Sequence, residues 1–234
     1  GFGALGFYDD IRKIFNKDSG FFGLRLFHKF AIQWILALIV GAVLYLQLGY
    51  NFVYVHWLGQ ITLGPLYILF AAFVIVSFTN AVNISDGLDG MAAGLLIICL
   101  VAFLAVAGAI LDPFLSLFIA ILLGSTLAFL YFNIYKARLW LGDVGALSLG
   151  AVLAVIGLLT GKPLSVALIG GVFVIEIGSS LLQILSRTFF SKRILPVAPI
   201  HLYFLARGWE EPKIVMRAWL LGVVLALVGL YIAF

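Results

Sequence analysis

Apolar residues run through this chain in long blocks, broken by short groups of charged, amide, glycine and proline residues. Seven blocks, at about 30–48, 63–79, 91–111, 114–132, 144–160, 164–185 and 214–234, come near the roughly 20 residues that a helix needs to cross a hydrocarbon core. Each is predicted to be a helix. Hydrocarbon offers no partner for an unpaired backbone group, and the blocks lack the alternation of a lipid-facing barrel strand. The expected fold class is therefore all-α, a polytopic transmembrane helix bundle of about seven spans.

Composition strengthens this reading. With 65% of residues hydrophobic and 10% charged, and a mean hydropathy of +1.22, the chain has too little polar surface to cover a soluble globule of its size. The stretch from Gly1 to Phe7 lacks the basic flank and length of a signal peptide. Cys99, the single cysteine, lies inside an apolar block, which excludes a disulfide framework and a cysteine metal site. No internal repeat or long linker divides the chain, so residues 1–234 are expected to form one integral membrane domain.

If the spans alternate in direction, the N-terminal stretch and the segments 80–90, 133–143 and 186–213 share one side of the membrane. Arg12, Lys13, Lys17, Arg25, Lys29, Lys136, Arg138, Arg187, Lys192, Arg193, Arg207, Lys213 and Arg217 all fall on or near that side, and Lys162 alone falls opposite. The positive-inside rule then makes that side cytoplasmic. The isoelectric point of about 9.2 is thereby explained without a nucleic-acid partner, and a basic face suits anionic lipid or phosphate. On the other side, Tyr50, Phe52, Tyr54 and Trp57 suggest an interfacial aromatic belt or a short outer-face hairpin.

Asp9, Asp10, Asp86, Asp89 and Asp143 all lie at the cytoplasmic ends of apolar blocks. Charge beside hydrocarbon is costly, so acids at several mouths point to a polar site, against the plainer reading of solvated loops. Asp9-Asp10 suits magnesium or a phosphate-bearing group, or else a charged helix end. In Asn80-Ala-Val-Asn83-Ile-Ser-Asp86-Gly-Leu-Asp89-Gly90, Asn80 and Asn83 share a helix face before a turn. Asp143 stands between two glycines near a helix start, where backbone N–H groups favour phosphate. Trp140 could stack on a nucleobase or anchor the chain at the membrane surface. The loop at 196–212 offers His201 for phosphate contact or proton transfer and Arg207 as a fixed positive charge, and its alternative is a loop lying on the membrane. Glu176, deep in an apolar block, is either functional or an acid paired for packing.

These motifs, together with Gly6-Phe-Tyr-Asp9-Asp10, Phe132-Asn133, Gly142-Asp143-Val-Gly145-Ala-Leu, Pro199-Ile-His201 and Gly208-Trp209-Glu-Glu-Pro212-Lys213, resemble the polyprenyl-phosphate N-acetylhexosamine-1-phosphate transferases of glycosyltransferase family 4 type. The likeness is strongest to the branch that transfers phospho-N-acetylmuramoyl-pentapeptide. It implies a Mg2+-dependent enzyme of the bacterial cytoplasmic (inner) membrane that moves a phospho-sugar from a UDP-N-acetyl sugar to undecaprenyl phosphate, among membrane lipid and with room for a homodimer. By this resemblance Asp143 is the principal magnesium ligand, with Asp10 and Asp9 beside the metal and the polyprenyl phosphate. Lys13 holds phosphate, and Asn83, Asp86, Asp89 and Asn133 line the UDP-sugar pocket, with Trp140 on uracil.

The chain departs from the family pattern in two places. Three consecutive histidines and Phe-Glu are usual in the last loop, but here the order is His201-Leu202-Tyr203-Phe204-Leu205, which keeps transfer of GlcNAc-1-phosphate as an alternative. The family also carries about three more spans ahead of this region, so the chain is expected to be a fragment whose Gly1 to Tyr8 ends the third. A transporter, with polar groups near the bilayer midplane, and a non-catalytic scaffold remain the rival classes.

Overall fold

The computed structural model describes residues 1–15 and 26–234. Lys17 and Arg25, counted above among the basic residues, lie outside the described residues. The element order is α1 (Phe2–Phe15), α2 (Leu26–Leu46), β1 (Phe52–Val55), β2 (Gly59–Thr62), α3 (Leu66–Ser85), α4 (Met91–Ala109), α5 (Pro113–Asn133), α6 (Gly142–Leu159), α7 (Pro163–Ile169), α8 (Gly171–Phe190), α9 (Ile200–Ala206) and α10 (Glu211–Ala233). Among the described residues seven helices are long and apolar enough to cross a membrane, namely α2, α3, α4, α5, α6, α8 and α10. The protein is thus a multi-pass, all-α membrane protein, as the apolar blocks predict.

Three boundaries differ from the expected ones. The block at 63–79 continues as helix to Ser85, so Asn80 and Asn83 are helical. The block at 164–185 is two helices, because Gly170 separates the short α7 from α8. The loop expected at 186–213 is partly helical: α8 runs on to Phe190, and α9 forms within the loop. The aromatic connection after α2 is a hairpin, with Phe52 paired to Thr62 and Val55 to Gly59 in antiparallel register.

The chain gathers into two compact units. The first comprises Gly1–Asn83 and Leu141–Leu164, and the second Ile84–Trp140 and Ser165–Phe234. In the first, α1 packs along α6. The approach is close because position 6 is glycine: a Cβ there would collide with the Asp143 carbonyl. Small residues commonly allow such approach between membrane helices, where lipid provides no hydrophobic drive for association. The far end of this unit is tied by the Tyr50 hydroxyl, which donates to the Leu159 carbonyl at 2.7 Å.

In the second unit α4 packs against both α5 and α10, and its side chains Leu95, Leu100, Phe103 and Val106 are buried. Pro113 opens α5 behind an Asp112 cap, whose carboxylate accepts from Leu115 N at 2.9 Å. Large apolar side chains on α5, such as Phe114 and Ile121, face outward, as suits helices solvated by lipid.

Candidate active site

The acids at the N-terminal motif and at residue 143 meet within the first unit. Residues three and four apart share a helix face, so Lys13 reaches both Asp10 and Asp9 on α1, at 3.3 Å each. The same ammonium group lies 2.6 Å from Asp143 Oδ2. Lys29, on α2, bonds that oxygen at 2.6 Å and Asp9 Oδ2 at 3.1 Å. The other Asp143 oxygen accepts from Asn83 Nδ2 at 2.7 Å. Asp10 Oδ2 accepts from Val144 N at 3.2 Å, which places an acid on the exposed N–H groups at the start of α6.

Three carboxylates and two ammonium groups therefore form one network whose formal charge is −1. Asp9 and Asp143 are buried, whereas the Lys13 side chain is 40% exposed, so the cluster opens on the Lys13 side. Burial pulls the Lys13 pKa down, but the bond to Asp143 and the charges of Asp143 and Asp9 outweigh it and raise the pKa well above the usual lysine value. Lys13 is fully cationic at any physiological pH.

Among the described residues no three acid, histidine or cysteine side chains form a group that could hold a metal ion. Magnesium commonly takes only one or two carboxylates and completes its shell with water and substrate phosphate. Asp10 and Asp143 fit that demand: both are hard oxygen donors, and both already turn an oxygen toward one shared cation, the Lys13 ammonium.

Asn80 belongs to a different contact. Its amide donates to Gln33 Oε1 at 2.7 Å and to the Val76 carbonyl at 2.8 Å, joining α3 to α2 within the membrane span.

In the second unit, Asp89 and Asn133 brace the loop at 134–140. Asp89 Oδ2 accepts from Ala137 N at 2.9 Å, and its own N–H donates to Glu211 Oε1 at 2.6 Å. Asn133 accepts from Gly90 N at 3.1 Å and donates to the Leu139 carbonyl at 2.8 Å. Trp140, at the end of this loop, is 71% exposed. Asp86 is half-buried in the turn after α3. Arg207 stacks over the Tyr203 ring at 5.1 Å from its centroid.

His201, the second residue of α9, is buried, and its Nδ1 meets Glu176 Oε2 at 2.9 Å. The pair lines a cavity of about 380 Å³ together with Phe204, Trp209 and Arg217. Trp209 carries Phe204 on its ring at 4.6 Å and the Arg217 guanidinium at 4.3 Å.

Residues 1–161 match the family model of glycosyl transferase family 4. The chain is 36% identical over 231 residues to a phospho-N-acetylmuramoyl-pentapeptide-transferase of Caldanaerobacter subterraneus subsp. tengcongensis, covering 99% of this chain and 72% of that protein. It is 39% identical over 252 aligned residues to the enzyme of the same name from Desulfotalea psychrophila, covering 97% of this chain and 68% of that protein. The chain belongs to glycosyl transferase family 4. Membership makes this family 4 protein a transferase, and the transporter and scaffold readings fall.

Sequence reasoning misses Lys29, although it carries two of the ion pairs in the acidic cluster. By sequence it is only one more basic residue near an interface. Its signal is position: a lysine in the first turn of a span, where burial without an acid partner is costly. Glu176, the acid that fits the sequence pattern least, has the loop histidine as its partner.

Proposed function

We propose that this family 4 enzyme transfers phospho-MurNAc-pentapeptide from its UDP-sugar to undecaprenyl phosphate, releasing UMP and forming lipid I for peptidoglycan synthesis. The observation that carries this reading is the convergence of Asp9, Asp10 and Asp143 on Lys13 and Lys29, and the names of the two relatives support it. The basic bias of the loops supports an active site on the cytoplasmic face of the bacterial inner membrane.

In this reading an oxygen of the polyprenyl phosphate bonds to the β-phosphorus of the UDP-sugar. The bond from that phosphorus to the bridging oxygen breaks, and UMP leaves with the electron pair. Such transfers depend mainly on alignment and electrostatic stabilisation, which accounts for acids, metal and cations without a Ser-His-Asp triad. Lys13 and Lys29 would bind phosphate oxygens as charge-assisted donors, Asp9 would face the acceptor phosphate, and Asp143 and Asp10 would hold magnesium. Bound there, magnesium supplies positive charge against the diphosphate. Asn83, Asp86 and Trp140 would serve the UDP-sugar, with Asp89 and Asn133 acting through the loop they brace, while His201 would contact phosphate or assist proton transfer and Arg207 would add a fixed positive charge near α9.

The intact enzyme, given undecaprenyl phosphate with either UDP-MurNAc-pentapeptide or UDP-GlcNAc, is expected to make a lipid product from the first. Chelation should stop UMP release and added Mg2+ restore it. A product from UDP-GlcNAc alone would transfer the assignment to the related GlcNAc-1-phosphate reaction, the alternative that the His201-Leu202-Tyr203 sequence leaves open. UMP release that persists in excess chelator would remove the metal from the scheme.

Replacing the exposed Trp140 by Leu removes a stacking surface of about 1–3 kcal/mol. UDP-sugar binding is expected to weaken about fivefold or more while polyprenyl phosphate binding holds. Titration of each ligand separately checks this, and equal weakening of both would assign Trp140 to membrane anchoring.

A further inference from the structure

Glu176 has no part in the transfer as set out above, yet it is the only carboxylate in the interior of α8, inside an apolar span. An acid there is costly unless paired, and its partner is the His201 ring, at 2.9 Å and equally buried. Three further polar residues, Ser179, Gln183 and Ser186, follow at spacings of three, four and three, so all four form one stripe along α8.

The other three members hold backbone. The Ser179 hydroxyl accepts from Ile200 N at 3.1 Å, and Gln183 exchanges two bonds with Leu195, at 2.9 and 3.1 Å. The Ser186 hydroxyl donates to the Lys192 carbonyl at 2.8 Å. These contacts dock the chain from 192 to 200 on α8 without help from Glu176. Glu176 alone of the four reaches a side chain, and what it controls is the orientation of a ring. At the opposite edge of that ring Nε2 faces Gly87, where a Cβ would stand only 2.7 Å from it. His201 thus has one nitrogen on a carboxylate and the other against the turn that carries Asp86 and Asp89.

We propose that Glu176 is a positioning residue for His201. A carboxylate can only accept, so it selects the imidazole tautomer with the proton on Nδ1 and presents the bare Nε2, as an acceptor, at the Asp86-Gly87 turn. The consequence for catalysis rests on the transferase reading, whereas the state of the ring does not. Carboxylates that orient a histidine in this way affect function by roughly 10–100-fold in metal sites, which sets the scale expected here.

The test is nitrogen-15 NMR of the intact enzyme in nanodiscs with labelled histidine. The chain has three histidines, and the signal lost in His201→Asn identifies the one of interest. Wild type is expected to show a protonated Nδ1 and an unprotonated Nε2. In Glu176→Gln the amide can donate as well as accept, so the bond survives but no longer dictates the tautomer. A mixture of tautomers is expected, with kcat for UMP release down about tenfold, KM for the UDP-sugar nearly unchanged and the melting temperature preserved. A purely structural contact would leave both spectrum and kcat in place, and that result overturns the proposal. A proton on Nε2 in wild type, alone or with one on Nδ1, also overturns it. If the spectra behave as expected but wild type releases no UMP from either UDP-sugar, the transferase reading fails and the ring assignment stands.

Discussion

Replacing Asp143 by Asn is expected to lower UMP release on the order of a thousandfold or more while leaving a folded protein. Asp143 is the residue on which the first unit's polar groups meet: two ammonium groups share one oxygen, and Asn83 donates to the other. An asparagine keeps the shape and an oxygen able to accept from Asn83 or one lysine. What it loses is the charge, and with it a strong ligand for a divalent ion and the neutralisation of Lys13 and Lys29. Asp143→Ala removes the acceptor altogether and leaves the largely buried Lys29 ammonium with Asp9 alone, a loss below the about 3–5 kcal/mol of a buried charge with no partner. The two variants separate chemistry from folding: UMP release should be lost in both, and thermal stability chiefly in the alanine protein. An Asp143→Asn enzyme turning over at near the wild-type rate would remove Asp143 from the reaction.

The second large effect is expected from a residue with no side chain. Gly6→Ala places a methyl group against the Asp143 carbonyl and the backbone at Val144, where no flexible side chain can move aside. Overpacking of this kind costs about 1–3 kcal/mol. The more serious consequence is geometric, because α1 must move off α6 and carries Asp9, Asp10 and Lys13 with it. A displacement near 1 Å at reacting groups can cost on the order of a hundredfold in rate, so kcat should fall at least that far while the protein stays inserted in the membrane. Gly3 supplies the control. It lies on the same helix, but a Cβ there meets the Ser148 side chain at 3.6 Å and the Val144 carbonyl at 4.0 Å, both ordinary van der Waals contacts, so Gly3→Ala should be nearly silent. Equal activity in the two variants would show that the α1–α6 approach is not what aligns the acids.

How far the sequence reveals the site differs from residue to residue. Asp9, Asp10 and Asp143 are legible because carboxylates at the mouths of apolar blocks are rare and costly, and the structure brings these three together. Lys13 follows from its helical spacing to Asp9 and Asp10 and from the family likeness. Lys29 is not legible as a member, because a lysine near a span end usually snorkels to water. Only the packing of α2 shows that this one is largely buried against two acids instead. Asn133 and Asp89 show the converse. Their types suggest ligand contact, but the structure gives them backbone partners in the 134–140 loop and at the 90 turn, and an amide's partner cannot be deduced from its type.

By itself the sequence determined the solvent and the class of fold. In lipid, a run of about 20 apolar residues without the alternation of a barrel strand has no stable state other than a helix whose backbone bonds are internal, and that constraint is local. The tertiary structure alone decided which charges meet. Lys13 and Asp143 are 130 residues apart in the chain, and Lys29 and Asp143 are 114 apart. Charge pairing acts over a few ångströms, so those encounters depend on where glycine lets helices touch and on how the turns close, neither of which is written in the periodicity of any one span.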